Sequence, residues 1–269
     1  MFSSLLLFSS LLAISQAIPP PPIDPCAPYC ADVYIISCRA TLEVQGEGQI
    51  GQVAEYVQSA TMQTVERVAL EYPAILEGYA KSAATGAEAL KQLITKQTKE
   101  CPDQKIVLLG YSQGAQVVGD AISGGGYGQM GDELIPGMSE ELIDRITAVV
   151  LMGDPRHMAR EEYQHGTARK DDGDGVFPRS PQQIETLNKH KHKISSYCNR
   201  KDALCAVRGK GNLGGHYDTI SMFVTPAKEW VLEMIEGQEL PEIPDELEIE
   251  SDSEELPEVP DELEIPQEI

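Results

Sequence analysis

The stretch that most restricts the fold is residues 106–118, Ile-Val-Leu-Leu-Gly-Tyr-Ser-Gln-Gly-Ala-Gln-Val-Val. An apolar run ends in Gly-Tyr-Ser-Gln-Gly, and a second apolar-patterned segment follows without a break. This is a G-x-S-x-G sequence in the context of strand, sharp turn and helix. Such a turn lifts a serine hydroxyl above a sheet edge on strained backbone. Gly110 and Gly114 let strand and helix pack closely around it. The Gln113 amide then heads a helix and faces the place where negative charge would develop on a reacting carbonyl oxygen. A chance match in a loop is the ordinary alternative, and the flanking strand and helix weigh against it. Ser112 therefore needs a histidine and an acid from elsewhere in the chain.

Residues 1–17 are small and apolar with a leucine-rich centre and end in Ser15-Gln16-Ala17, which reads as a secretory signal without a basic start. The run is shorter than the about 20 apolar residues a spanning helix needs, and prolines 19 to 22 follow it. The expected product is secreted and soluble. Six cysteines fit an oxidising compartment but are too few for a disulfide scaffold. The net charge of −22 is uneven: residues 238–269 carry 14 Asp or Glu and no Lys or Arg, which leaves −8 on the remainder. Nothing in that remainder resembles the basic patch of a nucleic-acid binder.

Residues 18–29 form a proline-rich lead. Residues 32–38 read as a buried first strand, 51–59 as a helix, 65–71 as a second strand, and 82–99 as an amphipathic helix capped by Ser82. Residues 123–131 hold five glycines and are expected to be a mobile loop. Residues 146–153 and 193–197 read as further strands, with a long polar connection between them. Thr225-Pro226 is expected to cap a last helix bearing Ala227, Trp230, Val231, Met234 and Ile235 on one face. Strands alternating with helices predict an α/β fold over 30–237, with a mostly parallel sheet covered on both faces. The 238–269 tail repeats Leu-Pro-Glu-Ile/Val-Pro-Asp-Glu-Leu-Glu-Ile, and its prolines and carboxylates predict a disordered extension. Its regular apolar positions also suit a short motif read by a partner.

A serine becomes nucleophilic when a histidine takes its proton and an acid orients that histidine, in the chain order Ser, acid, His for this elbow. The histidines are His157, His165, His190, His192 and His216. His190 and His192 alternate with lysines and read as a solvated basic turn. His157 and His165 fall early in the long connection. His216, in a glycine-flanked loop before the last helical region, has the position required. For the acid, Asp202 lies between Cys198 and Cys205, and a disulfide closing that loop would hold the carboxylate rigid. Asp154 is the competitor, but an Asp before Pro at a strand end is better read as a turn former. Asp171, Asp172 and Asp174 lack the spacing of a calcium loop, so no metal and no cofactor is implied.

With these residues in hand, the chain resembles the cutinase and acetylxylan esterase family from about Cys30 to Trp230. The carriers include Cys30-Ala31-Asp32-Val33, Arg39-Ala40-Thr41, Tyr72-Pro73-Ala74, Cys101-Pro102, Gly110-Tyr111-Ser112-Gln113-Gly114, Gly153-Asp154-Pro155-Arg156, Gly175-Val176-Phe177-Pro178-Arg179 and Tyr197-Cys198, then Asp202, Cys205 and His216. The resemblance implies a compact, lidless α/β hydrolase with Ser112 as nucleophile, His216 as general base and Asp202 as orienting acid. It implies disulfides Cys30–Cys101 and Cys198–Cys205, and Thr41 as the oxyanion-hole partner of the Gln113 amide. Cys26 and Cys38 are left over, either paired or free. Leu42 stands where the family usually has a second Thr, and the tail has no counterpart.

The implied reaction is ester hydrolysis through an acyl-enzyme, with activity rising through the ordinary histidine range at about pH 6.5. Residues 206–215 are mostly glycine and polar, so a polar rim is expected, suited to acetyl groups on a polysaccharide more than to the long acyl chains of cutin. The expected substrate is an acetylated polysaccharide, the alternative a cutin-like polyester, with no nucleic-acid or membrane partner and a monomeric chain. A secreted binding or elicitor protein that keeps the fold without turnover is the competing class, and the intact Ser, Asp and His weigh against it.

Overall fold

The computed structural model describes residues 29–131 and 135–237; the signal, nearly all of the proline-rich lead, Cys26 and the acidic tail lie outside them. Five strands form one wholly parallel sheet in the order β2-β1-β3-β4-β5: β1 (Val33–Cys38), β2 (Val65–Ala69), β3 (Lys105–Tyr111), β4 (Ile146–Met152) and β5 (Ile194–Tyr197). Continuous β-branched and leucine-rich runs suit strands buried on both faces. Alternate residues then serve opposite layers. Tyr34, Ile36, Ile106, Leu108 and Leu151 pack with α2 (Tyr79–Glu100) and α3 (Gln113–Ser123), while Ile35, Val107, Leu109 and Val150 pack with α1 (Gly51–Ala60) and α6 (Leu213–Glu236). The chain steps outward from β1 to β2 and then back past β1 to β3. Loops after β1 and β3 therefore diverge from one crevice at the sheet's C-terminal edge, the place where open α/β sheets bind ligands. Thr41 follows β1 and Ser112 follows β3.

Several local expectations are corrected. The second helix begins at Tyr79 rather than at Ser82, behind Gly78 at φ 65°. Ser82 is not a cap: its hydroxyl donates to Gln113 Oε1 at 2.9 Å and accepts from the Ile75 amide at 3.2 Å, tying the helix to the elbow. The last helix begins at Leu213, with Asn212 as its N-cap, and Pro226 lies inside it. The ring removes one hydrogen bond, to the Met222 carbonyl, and Met222 is exposed, so water can serve that group. The glycine-rich stretch is not simply a mobile loop, since Gly124 to Gly126 are buried and Gly125 bridges Ile135. The basic turn is only partly solvated: His190 and Lys193 are buried, and His190 Nε2 lies 2.9 Å from Glu140. Within the polar connection α5 (Pro181–Lys189) forms on a Ser180/Gln183 capping box with Pro181 behind the cap, after the short α4 (Glu140–Asp144) that precedes β4.

Candidate active site

The elbow holds Ser112 at φ 55° and ψ −120°, a region that a non-glycine residue enters only under constraint from its surroundings. Both glycines are required by contact. A Cβ on Gly114 would lie 1.9 Å from the Cys38 carbonyl oxygen, and one on Gly110 would lie 2.5 Å from the Gly114 carbonyl. The Ser112 amide donates to the Met152 carbonyl at 2.9 Å, fixing the turn against β4.

Three side chains converge on this turn. His216 Nε2 lies 2.9 Å from Ser112 Oγ, and His216 Nδ1 lies 2.6 Å from Asp202 Oδ2. His216 belongs to the first turn of α6 and not to a loop, and Asn199 Nδ2 donates to the Gly215 carbonyl just before it at 2.8 Å. Asp202 is fully buried, and its Oδ1 accepts from the amides of Leu204 and Cys205 at 2.8 and 3.3 Å. The Cys198–Cys205 disulfide closes this loop, and Cys30–Cys101 ties the start of the body to the end of α2. Cys38 is buried and in neither bridge, and burial raises its thiol pKa strongly.

Sequence reasoning missed three supporting groups. The Tyr111 ring stacks on the imidazole at 5.1 Å between centroids, and its hydroxyl donates to the His216 carbonyl at 3.0 Å. Thr219 Oγ1 lies 3.4 Å from Asp202 Oδ2, one helical turn beyond His216. Gly153 passes so close that a Cβ there would lie 3.0 Å from the imidazole.

On the other side of the crevice, Thr41 lines the same cleft as Ser112. Its loop is firmly held. Glu43 accepts from the Ala40 and Gln49 amides at 2.6 and 3.0 Å, Arg39 donates to the Leu70 and Tyr72 carbonyls, and Leu42 sits at φ 66°. Gln113 is the first residue of α3, so its amide has no acceptor within the helix. Its side chain is fixed between Ser82 and the Ile75 carbonyl.

Asp154 is a turn former and more. Oδ1 accepts from the Arg156 amide at 2.8 Å, and Oδ2 pairs with Arg179 at 2.9 Å. Asp172 is spent on the Arg169 amide and Arg200, and Asp174 on the Ala159 amide. No cluster of three or more potential metal ligands occurs among the described residues.

The cleft over Ser112 has a volume of about 410 Å³ and walls of Leu42, Leu76, Val176, Phe177, Leu204, Leu213 and Tyr217. The expected polar rim is therefore overturned: of residues 206–215 only Leu213 lines this cleft, and the other apolar walls come from the loops that carry Leu42, Leu76, Val176 with Phe177, and Leu204, and from Tyr217 in α6. The polar segment turns away because its glycines pack on the acid loop, a Cβ on Gly209 or Gly211 falling 1.9 or 1.8 Å from the carbonyls of Arg200 or Lys201.

His157 and His165 take no part in the convergence. His157 is buried, its Nδ1 has no hydrogen-bond partner among the described residues, and burial pushes its pKa down to about 4 against the pull of Asp154, Asp174 and Asp202. The unfolded chain holds this proton up to the ordinary histidine value, and the folded one does not. Stability is therefore full above about pH 6.5 and falls as the pH drops toward about 4, by about 3 kcal/mol from this group. Thermal melts across that range should show the loss, and His157→Gln should flatten it; an unchanged slope would place the proton elsewhere.

A parallel sheet with a serine on a strand–elbow–helix turn, a histidine after the last strand and a carboxylate between them is the architecture of an α/β-hydrolase fold. A family model described as Cutinase matches residues 29–235. Acetylxylan esterase 2 of Talaromyces purpureogenus is 29% identical over 184 residues, 65% of this chain and 76% of that protein. Cutinase 11 of Verticillium dahliae is 28% identical across 66% of this chain, which spans 61% of that relative's length. Among solved structures, the catalytic core domain of acetyl xylan esterase from Trichoderma reesei has a TM-score of 0.66 at 27% identity, over 78% of this chain and 100% of the other. The chain belongs to the cutinase family and is an esterase of that family.

Proposed function

We propose that the chain is a secreted serine hydrolase that cleaves acyl esters on a cell-wall polysaccharide, acetyl esters first. The line from Ser112 Oγ through His216 to Asp202, at 2.9 and 2.6 Å, carries the chemistry. In this reading His216 takes the hydroxyl proton as Ser112 attacks the ester carbonyl, and Asp202 keeps Nδ1 protonated and stabilises the imidazolium. The Gln113 amide and Thr41 receive the oxyanion. The alcohol leaves with the proton from His216, and water, deprotonated by the same ring, releases the acid. Two disulfides and the apolar leader support export, and none of the described helices is long and apolar enough to cross a membrane. The names of the acetylxylan esterase relatives favour the acetyl reading.

A second reading, cutinase-type cleavage of longer acyl esters, is favoured by the apolar walls of the cleft. Each buried methylene of a longer acyl chain would add about 0.8 kcal/mol of binding there. Rates on p-nitrophenyl acetate, butyrate and octanoate, with acetate release from acetylated xylan, separate the two. The acetyl reading expects the highest kcat/KM at acetate and release from xylan. A maximum at butyrate or beyond with no release carries the second.

A further inference from the structure

The polar segment that turns away from the Ser112 cleft builds a cleft of its own, of about 470 Å³, beside the acid loop. Arg200, Lys201 and Lys210 line it, and Asp218 is the one carboxylate among the lining residues. Arg200 pairs with Asp172 at 3.2 Å, whereas neither the Lys201 nor the Lys210 ammonium meets any partner among the described residues. Lys210 is exposed and held at φ 54°, a conformation that glycine or asparagine would take at less cost. The glycines on either side leave it no other course, since they seat the turn against the carbonyls of Arg200 and Lys201. Two unpaired ammonium groups are thus displayed beside a single carboxylate, Asp218. Screening over about 8 Å at physiological ionic strength keeps distant carboxylates from cancelling them.

The cleft is also next to the chemistry. Lys201 precedes Asp202, Gly215 precedes His216, and the Asn212 amide donates to the Lys201 carbonyl at 2.9 Å, joining the two loops. A polymer whose ester lies over Ser112 has only to pass over these loops to reach it. We infer that this cleft is an anion subsite that takes the carboxylates of a uronate-bearing polysaccharide, the acidic form of the substrate proposed above. It rests on that reading. Lys201 and Lys210 offer a carboxylate of such a polymer two unpaired ammonium groups on one side of the Ser112 cleft, which also sets the direction in which it lies across the site.

The test uses the full chain and no turnover: affinity electrophoresis in gels containing deacetylated glucuronoxylan, or the same polymer with its carboxyls reduced to alcohols. Retardation by the first polymer, its loss with the second, and at least about fivefold weaker binding by the Lys201→Gln/Lys210→Gly protein are expected. Lys210→Gly alone eases the backbone while it removes the charge, so weaker binding by that variant is not a folding defect. Equal retardation by both polymers, no retardation by either, or a double variant that binds as the parent does would overturn the subsite. Failure of the esterase reading would show separately, as no turnover of the p-nitrophenyl esters.

Discussion

Asp202→Asn should lower kcat/KM on p-nitrophenyl acetate by about 10⁴-fold with little change in fold, and Ser112→Ala should remove at least as much. The reason lies in which oxygen is already spoken for. Oδ1 of Asp202 accepts from two backbone amides, Leu204 and Cys205, so an asparagine must place its carbonyl oxygen there. Its NH2 group then takes the Oδ2 position, 2.6 Å from His216 Nδ1. Two donors cannot face one another, so Nδ1 gives up its hydrogen and Nε2 carries it instead. That hydrogen points at Ser112 Oγ, 2.9 Å away, and the ring can no longer accept the hydroxyl proton. The loss should fall on kcat more than on KM, because the cleft that binds the ester is untouched. A fluorophosphonate probe should label the parent at Ser112, label Asp202→Asn far more slowly, and leave Ser112→Ala unlabelled. Rapid labelling of Asp202→Asn, or none of the parent, would remove the triad and revive the reading of a binding protein without turnover.

The positions of these three side chains were legible because each is announced by a local pattern. Ser112 is fixed by glycines that the close approach of β1 and α3 demands, Asp202 by two cysteines around a short loop, and His216 by its place after the last strand. The five-stranded sheet was legible for a similar reason: its central strands are continuous apolar runs, which have few alternatives. What escaped was whatever depends on distant partners. Ser82 has the chemistry of a cap, but Gln113 lies 31 residues away and claims its hydroxyl. Thr225-Pro226 has the chemistry of a helix start, yet the helix has already begun at Leu213, and the ring costs it one hydrogen bond, to the carbonyl of the exposed residue Met222. The polar rim is absent because nearness in sequence to His216 is not nearness to the ester: the glycines of that segment pack it toward the acid loop. Helix α5 is a different case. Its Ser-Pro-x-Gln start stands in the sequence, and the surrounding polar residues hid it.

The largest effect on stability should come from a site that no catalytic argument invokes. Arg156 is fully buried, and its guanidinium reaches Asp120 Oδ1 at 2.9 Å, the Gly126 carbonyl at 2.9 Å and Gln183 Oε1 at 2.9 Å. Arg179 bridges Asp120 and Asp154 at 2.7 and 2.9 Å. Two carboxylates and two guanidiniums thus sit together out of water, balanced in charge. Replacing such a cluster whole by apolar groups is often neutral, but taking away one member strands the others. Asp120→Ala would leave Arg156 and Arg179 facing each other without the carboxylate they share, at a cost of about 3–5 kcal/mol. For a body of this size that is about 10 °C or more in Tm. Function should follow, because the same cluster anchors the turn from Gly153 to Arg156 and the segment around Phe177. Gly153 presses on the imidazole, and Pro155 and Phe177 wall the ester cleft. Below the melting range Asp120→Ala should therefore show a raised KM as well as a lowered kcat, whereas Asp202→Asn should show the second alone. Thermal melts and steady-state kinetics on both proteins check this, and an Asp120→Ala protein that melts within about 2 °C of the parent would mean that water reaches the two arginines, and that the cluster does not hold the wall.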